Sequence, residues 1–192
     1  IEGSVTESVP ITEQAIASNE NIILFEPAIF VDNQLVRVDI FIKKGKNIEI
    51  IEVKSKSYNS DDLAISKASN RQGKGKNYWI DVNFKPYLED IAYQKKVVQE
   101  KFTDSSVKAY LMMPDKCKVN KHEDLISWFV LNKKGGQTIV DFTGTEDDLI
   151  ALRQDNFMGL ECVDTEIQII ENDIKNVSQL FKESILNDQK IN

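Results

Sequence analysis

The sequence predicts an α/β domain: a central mixed β-sheet flanked by helices, with a C-terminal hairpin and further helices after it. Three observations carry this. Two β-rich runs, "QLVRVDIFIKK" and "NIEIIEVKS", face each other across a Gly-containing turn. A helical pattern opens at Pro86, which suits a first helical turn. From Thr165 onward Ile167, Ile170, Ile174, Val177, Phe181 and Ile185 recur at spacings of three and four, as on one face of a long helix.

In chain order, Thr12 to Asn19 reads as the end of a helix. "NIILFEPAIFV" is a strand edged or broken at Pro27. "QLVRVDIFIKK" alternates as one strand, with Val36, Val38, Ile40 and Ile42 on an entirely aliphatic face and Leu35, Arg37, Asp39 and Phe41 on the other. After the turn at Gly45, "IEIIEVKS" returns. Residues 55–83 are polar and too long for an ordinary connection, so they read as a functional loop or insertion. The Pro86 helix runs to about Phe102, and "SSVKAYLMMP" is a fourth strand. "DLISWFVLN" and "QTIVDFTG" flank "KKGG" as a hairpin, and Thr145 caps a short helix with an acidic first turn. Residues 1–116 therefore form the core unit, and 117–192 an extension in the same domain or beside it.

With 192 residues, 41% of them hydrophobic, the chain can build one domain with a real core. No run approaches a membrane span and the N-terminus lacks a signal-peptide pattern, so no membrane partner and a cytoplasmic location are expected. The opening "IEGSVTES" lacks a methionine and reads as a piece of something longer. Cys117 and Cys162 are too few for a disulfide framework or a four-thiolate cluster and read as reduced thiols. A net charge of −7 argues against a generic nucleic-acid binder. Yet "KASNRQGKGK" concentrates Lys67, Arg71, Lys74 and Lys76 without an acid, followed by Trp79, a ring able to stack on an unpaired base. A solvated loop beside a core-edge tryptophan is the plainer alternative.

Within "NIEIIEVKSKS" a carboxylate and an ammonium interrupt a strand that otherwise reads as buried, and burying either without a partner costs several kcal/mol, of order 3–5 by experience with broken ion pairs. If the turn is centred on Gly45 and Lys46, Asp39 falls opposite Glu52 and Phe41 opposite Ile50, on a face shared with Lys54. Opposed carboxylates repel unless a cation sits between them, and Mg²⁺ or Mn²⁺ prefers such oxygen ligands. Lys54 is placed to hold an attacking water or a phosphate oxygen. In the following helix Gln94 sits within the apolar stripe of Tyr87, Ile91, Val98 and Phe102, and a buried amide needs a partner. If that face packs on the sheet, Gln94 reaches toward the same carboxylates.

The ordered set of Asp39, a turn, Glu52-x-Lys54 and a helix carrying Gln94 resembles the PD-(D/E)XK nuclease superfamily, in particular its RecB-like branch. Within that branch, residues 11–116 are most similar to an uncharacterised bacterial domain family related to the CRISPR-associated RecB-like nucleases. The resemblance implies a restriction-endonuclease-like fold and a Mg²⁺- or Mn²⁺-dependent hydrolase acting on nucleic acid, with DNA expected. It implies metal binding by Asp39 and Glu52, catalytic assistance by Lys54, and Gln94 as the helix glutamine. Glu13 and Glu26 are both candidates for an additional acidic ligand. Val98 stands where relatives often carry a tyrosine, and two scattered cysteines speak against an iron–sulfur cluster.

The plainer alternative makes Asp39 and Glu52 solvated residues salt-bridged to Arg37 and Lys54. His122, the only histidine, reads as solvated and supports neither a triad nor a zinc site. Besides a nuclease, the sequence allows a catalytically inactive nuclease-fold module that binds nucleic acid or a partner protein, or a purely structural domain.

Overall fold

The computed structural model describes residues 5–61, 65–71, 74–135, 137–155 and 157–187. Helix α1 (Val5–Ser18) leads into β1 (Asn21–Phe25), β2 (Ala28–Val31), β3 (Gln34–Arg37), β4 (Ile40–Lys44) and β5 (Asn47–Val53). Strands β6 (Ser66–Arg71) and β7 (Lys74–Ile80) precede α2 (Lys85–Lys101) and β8 (Ser106–Pro114). A 3₁₀ turn at Leu125–Trp128, β9 (Phe129–Lys134), β10 (Gln137–Phe142), α3 (Glu146–Asp155), β11 (Met158–Cys162) and α4 (Asp164–Leu186) complete the chain.

The architecture is α/β, with a five-stranded mixed sheet in the order β1-β4-β5-β8-β11 and helices packed on it. Within this sheet, among the described residues, only the β5/β8 strand pair is parallel, as the intervening helix α2 permits. Helix α2 packs against β5, β8 and the β2/β3 hairpin, and α4 packs against α2 and β8. Phe41, Ile50 and Ala109 form one row across β4, β5 and β8 on the covered face, all fully buried. Among the described residues no helix is long and apolar enough to cross a membrane.

Two strands that look continuous in the sequence are each broken in two. Pro27 has no N–H to donate to a ladder, and Glu26 before it adopts a left-handed φ of 52°. Opposite this point the alternating run breaks at Val38 and Asp39, so β1/β4 and β2/β3 are the two halves of one bent hairpin. Backbone bonds from Glu26 N–H to the Asp39 carbonyl (3.0 Å) and from Val38 N–H to the Pro27 carbonyl (3.2 Å) hold its waist. Its tip turns at Asp32 and Asn33, both with positive φ, as a two-residue hairpin turn requires. The bend also moves the buried set out of step: Val36 and Val38 are buried before it and Phe41 after it, so the expected aliphatic face is not continuous.

Residues 55–83 are not a plain loop, since they contain the antiparallel β6/β7 hairpin. The C-terminal stretch contributes a strand to the main sheet. Strand β11, which the sequence reading missed, pairs with β8 at the edge of the main sheet, and the β9/β10 hairpin and α3 are an excursion between them. Gly159 explains the weak signal of "MGLEC", because its backbone lies against Tyr58 and a Cβ there would meet the phenol oxygen at 1.9 Å. Tyr58 is itself buried and donates its hydroxyl to Glu161 at 2.7 Å. Gly159→Ala is therefore expected to destabilise the chain by about 1–3 kcal/mol through overpacking, read by chemical denaturation.

The Thr145 cap is present: its hydroxyl accepts the Asp148 N–H (3.2 Å), and Asp148 accepts the Thr145 N–H (2.7 Å). His122 is not simply solvated. Its ring packs on Trp128 with centroids 5.1 Å apart, and its Nε2 lies 3.8 Å from the Asp155 carboxylate. Of the α4 stripe, Ile167 and Ile170 are buried, whereas Val177, Phe181 and Ile185 are exposed.

Candidate functional site

Strand β5 points Ile48, Ile50 and Glu52 at the covered face, beneath α2, which accounts for the burial of Glu52 to 6% exposure. The β4/β5 register, Ile40 to Ile51 and Phe41 to Ile50, extends to place Asp39 opposite Glu52, as expected from the turn. Asp39 sits at the bend rather than inside a strand, and its Oδ2 accepts the Val53 N–H at 2.7 Å. That bond ties the bend to the end of β5.

Helix α2 brings Gln94 down onto the same face. Gln94 is buried to 5% exposure, and its Nε2 donates to Glu52 Oε2 at 2.7 Å. Lys54, just beyond β5, stays in line because its N–H donates to the Met112 carbonyl of β8 (2.9 Å). Its ammonium donates to Glu52 Oε1 at 2.5 Å and to Asp90 Oδ2 at 2.9 Å. The Nζ also lies 5.5 Å from the centre of the Tyr87 ring. Asp39, Glu52, Lys54 and Gln94 thus come together from two elements, β5 with the residue just beyond it and α2, and a bend. Arg37, the alternative partner for these carboxylates, donates instead to the Ser8 hydroxyl at 3.1 Å.

Asp90 is the member that sequence reasoning missed. Its only signal was its place one helical turn before Gln94, on the same side of α2.

Burial pushes the Glu52 carboxyl above its ordinary range, and the charges of Asp39 and Asp90 add to this. The bonds from Lys54 and Gln94 offset only part of it. For Lys54 burial acts against the charge, but hydrogen bonds to Glu52 and Asp90 outweigh it and hold the ammonium above its usual value. The shared contact serves its members unequally, because Lys54 has two carboxylates around it while Glu52 lies deeper and faces two like charges.

Of the two candidate additional ligands, Glu13 is not at this site. It pairs with Lys101 at the far end of α2, two helical turns beyond Gln94. Glu26 lies opposite Asp39 in the hairpin register, so Glu26, Asp39 and Glu52 occupy one row across the sheet, although the Glu26 side chain is exposed. Among the described residues no group of three or more His, Cys, Asp or Glu is arranged as a metal cage. The donor set nevertheless suits a hard cation. Gln94 Oε1 is buried without a hydrogen-bond partner among the described residues, on the amide whose Nε2 bonds Glu52. Two carboxylates and an amide oxygen match Mg²⁺ or Mn²⁺, which keeps waters and takes one or two carboxylates from a protein.

The basic residues lie on the β6/β7 hairpin, Lys67 and Arg71 on β6 and Lys74, Lys76 and Trp79 on β7, with Lys67 paired to Trp79 and Arg71 to Lys74. The hairpin closes through the Asp81 N–H bond to the Ile65 carbonyl (3.0 Å), close in sequence to the N-terminus of α2. Val98, where relatives of the resembled family often carry tyrosine, is fully buried in the core. Compared with family models, with curated proteins and with solved structures, the chain has no match. The reading of the site rests on its own residues.

Proposed function

We propose that the chain is a metal-dependent nuclease of the PD-(D/E)XK type, RecB-like in its motif order, with a restriction-endonuclease-like fold, and that it hydrolyses phosphodiester bonds in nucleic acid, DNA being the expected substrate. The observation that carries the reading is the meeting of Asp39, Glu52, Lys54 and Gln94 at one place, with two of the four deeply buried and mutually hydrogen-bonded. A purely structural core has little use for such a group, because each buried charge costs free energy that apolar side chains would not.

Asp39 and Glu52 are the residues that would hold the cation, with Glu26 as the acidic neighbour in the same row. A bound Mg²⁺ or Mn²⁺ supplies acidity to a coordinated water and polarises a phosphoryl oxygen. Gln94 fixes the orientation of Glu52 through its Nε2 bond. Lys54, kept charged by its carboxylate neighbours, stabilises negative charge that develops on the phosphate. The basic β6/β7 hairpin tracks the nucleic-acid backbone through Lys67, Arg71, Lys74 and Lys76, with Trp79 offered for stacking.

The net charge of −7 and Val98 in the place where relatives of the resembled family often carry tyrosine motivate the second reading, an inactive nuclease-fold module that binds nucleic acid or a partner protein. Labelled single- and double-stranded DNA and RNA, incubated with Mg²⁺ or Mn²⁺, separate the two. Cleavage is expected by the parent chain, is abolished by a chelator, and falls by about 10²–10³-fold in Lys54→Ala. Equal cleavage by both chains would assign the activity elsewhere. Nucleic-acid binding that persists in chelator, without cleavage under any condition, would establish the binding module.

A further inference from the structure

The ammonium of Lys54 bridges two carboxylates of different character. Glu52 is buried and belongs to the row that would hold the cation, whereas Asp90 stands on α2 with its side chain 46% exposed. The Lys54 distance to Asp90 Oδ2, 2.9 Å, is that of a full charge-assisted hydrogen bond. Asp90 Oδ1 lies 3.5 Å from Gln94 Nε2, so Asp90 borders the glutamine that orients Glu52 as well.

A cation coordinated by Glu52 competes with Lys54 for the same carboxylate. If Glu52 were the only acidic partner of Lys54, metal binding would either fail against the ammonium or expel it from the site. Asp90 removes this conflict because it offers the ammonium a second anchor already within bonding distance. We propose that Asp90 is a positioning residue that takes over Lys54 when a divalent cation occupies Glu52, keeping the lysine at the site while releasing the carboxylate. The assignment rests on the metal-dependent reading above. Asp90 acts through Lys54 and is not itself a ligand, which separates it from Asp39 and Glu52.

The test is a double-mutant cycle read by calorimetric titration with MnCl₂ alone, without nucleic acid. It uses the parent chain, Asp90→Asn, Lys54→Met, the double variant, and Asp90→Glu as the conservative rescue. Asp90→Asn is expected to weaken Mn²⁺ binding about tenfold, the usual effect of losing an outer partner of a metal site. Asp90→Glu is expected to restore it. In the Lys54→Met background, where no ammonium competes, Asp90→Asn is expected to change nothing. Equal weakening in both backgrounds would make Asp90 a direct ligand and overturn the proposal. Unchanged affinity in Asp90→Asn with Lys54 present would overturn it too, leaving an ordinary surface ion pair. Failure of the parent chain to bind Mn²⁺ would overturn the metal-dependent reading itself and this assignment with it, whereas a binding parent without coupling in the cycle overturns the assignment alone. Asp90 is half exposed on a helix, so the Asp90 substitutions leave the core untouched.

Discussion

Glu52→Gln is expected to lower the proposed nuclease activity by at least about 10³-fold and, in the absence of metal, to make the chain more stable at neutral pH. The loss follows from removing the buried carboxylate of the proposed cation site. The gain follows from its surroundings: Glu52 lies under α2 with Asp39 and Asp90 nearby, and burial raises its folded pKa above the unfolded value of about 4.3. A carboxyl with a raised folded pKa contributes its stability fully below the unfolded pKa and loses it as pH rises through the folded one. Lys54 adds no slope over this range, because its raised pKa keeps it charged in both states below about pH 10. The difference in thermal midpoint between Glu52→Gln and the parent should therefore move in favour of the variant as pH rises above the unfolded value of about 4.3. A difference independent of pH would mean that Glu52 is not ionised at a cost in the fold. Mn²⁺ at a hundred times its dissociation constant should add about 2.7 kcal/mol to the parent and nothing to the variant.

Phe41→Ala is expected to destabilise the chain by about 3–5 kcal/mol, a large part of the roughly 5–15 kcal/mol that holds a domain folded. Phe41 is fully buried, pairs with Leu24 on one side and Ile50 on the other, and its ring lies 5.9 Å from that of Phe102 beyond the end of α2. It therefore joins β1, β4 and β5 to the turn after the helix. It also stands two residues after Asp39 on the same face, so the cavity left by truncation would loosen the strand that carries the bend. Denaturant unfolding measures the loss. A cost under about 1 kcal/mol would be incompatible with a packed aromatic at the centre of this sheet.

Much of the site could be read before the fold was seen, because its geometry is local. The turn at Gly45 and the run of β-branched residues on either side set the register, and a register places Asp39 against Glu52 with no further information. The helical period of residues 87–102 likewise put Gln94 among apolar neighbours, and the packed helix buries it as the pattern required. Other features left no local trace. The bend at Val38 and Asp39 interrupts an alternation that is unbroken in sequence, because its cause lies across the hairpin at Glu26 and Pro27. Strand β11 is short, contains a glycine and gains its place by pairing with β8, a partner more than forty residues earlier.

The choice between Glu13 and Glu26, and the part played by Asp90, depend on distances between segments far apart in the chain. Glu13 is drawn to Lys101 because α1 and the end of α2 meet, and Asp90 reaches Lys54 only because α2 settles on β5. An exposed aspartate on a helix looks like any surface charge until an ammonium from another element comes within 3 Å of it. Periodicity and turn chemistry thus determined which residues share a face and which carboxylates oppose each other. Packing between the helices and the sheet decided which charges meet, because Coulombic and hydrogen-bonded contacts depend on separations in space that sequence spacing encodes only within a single helix, strand or turn.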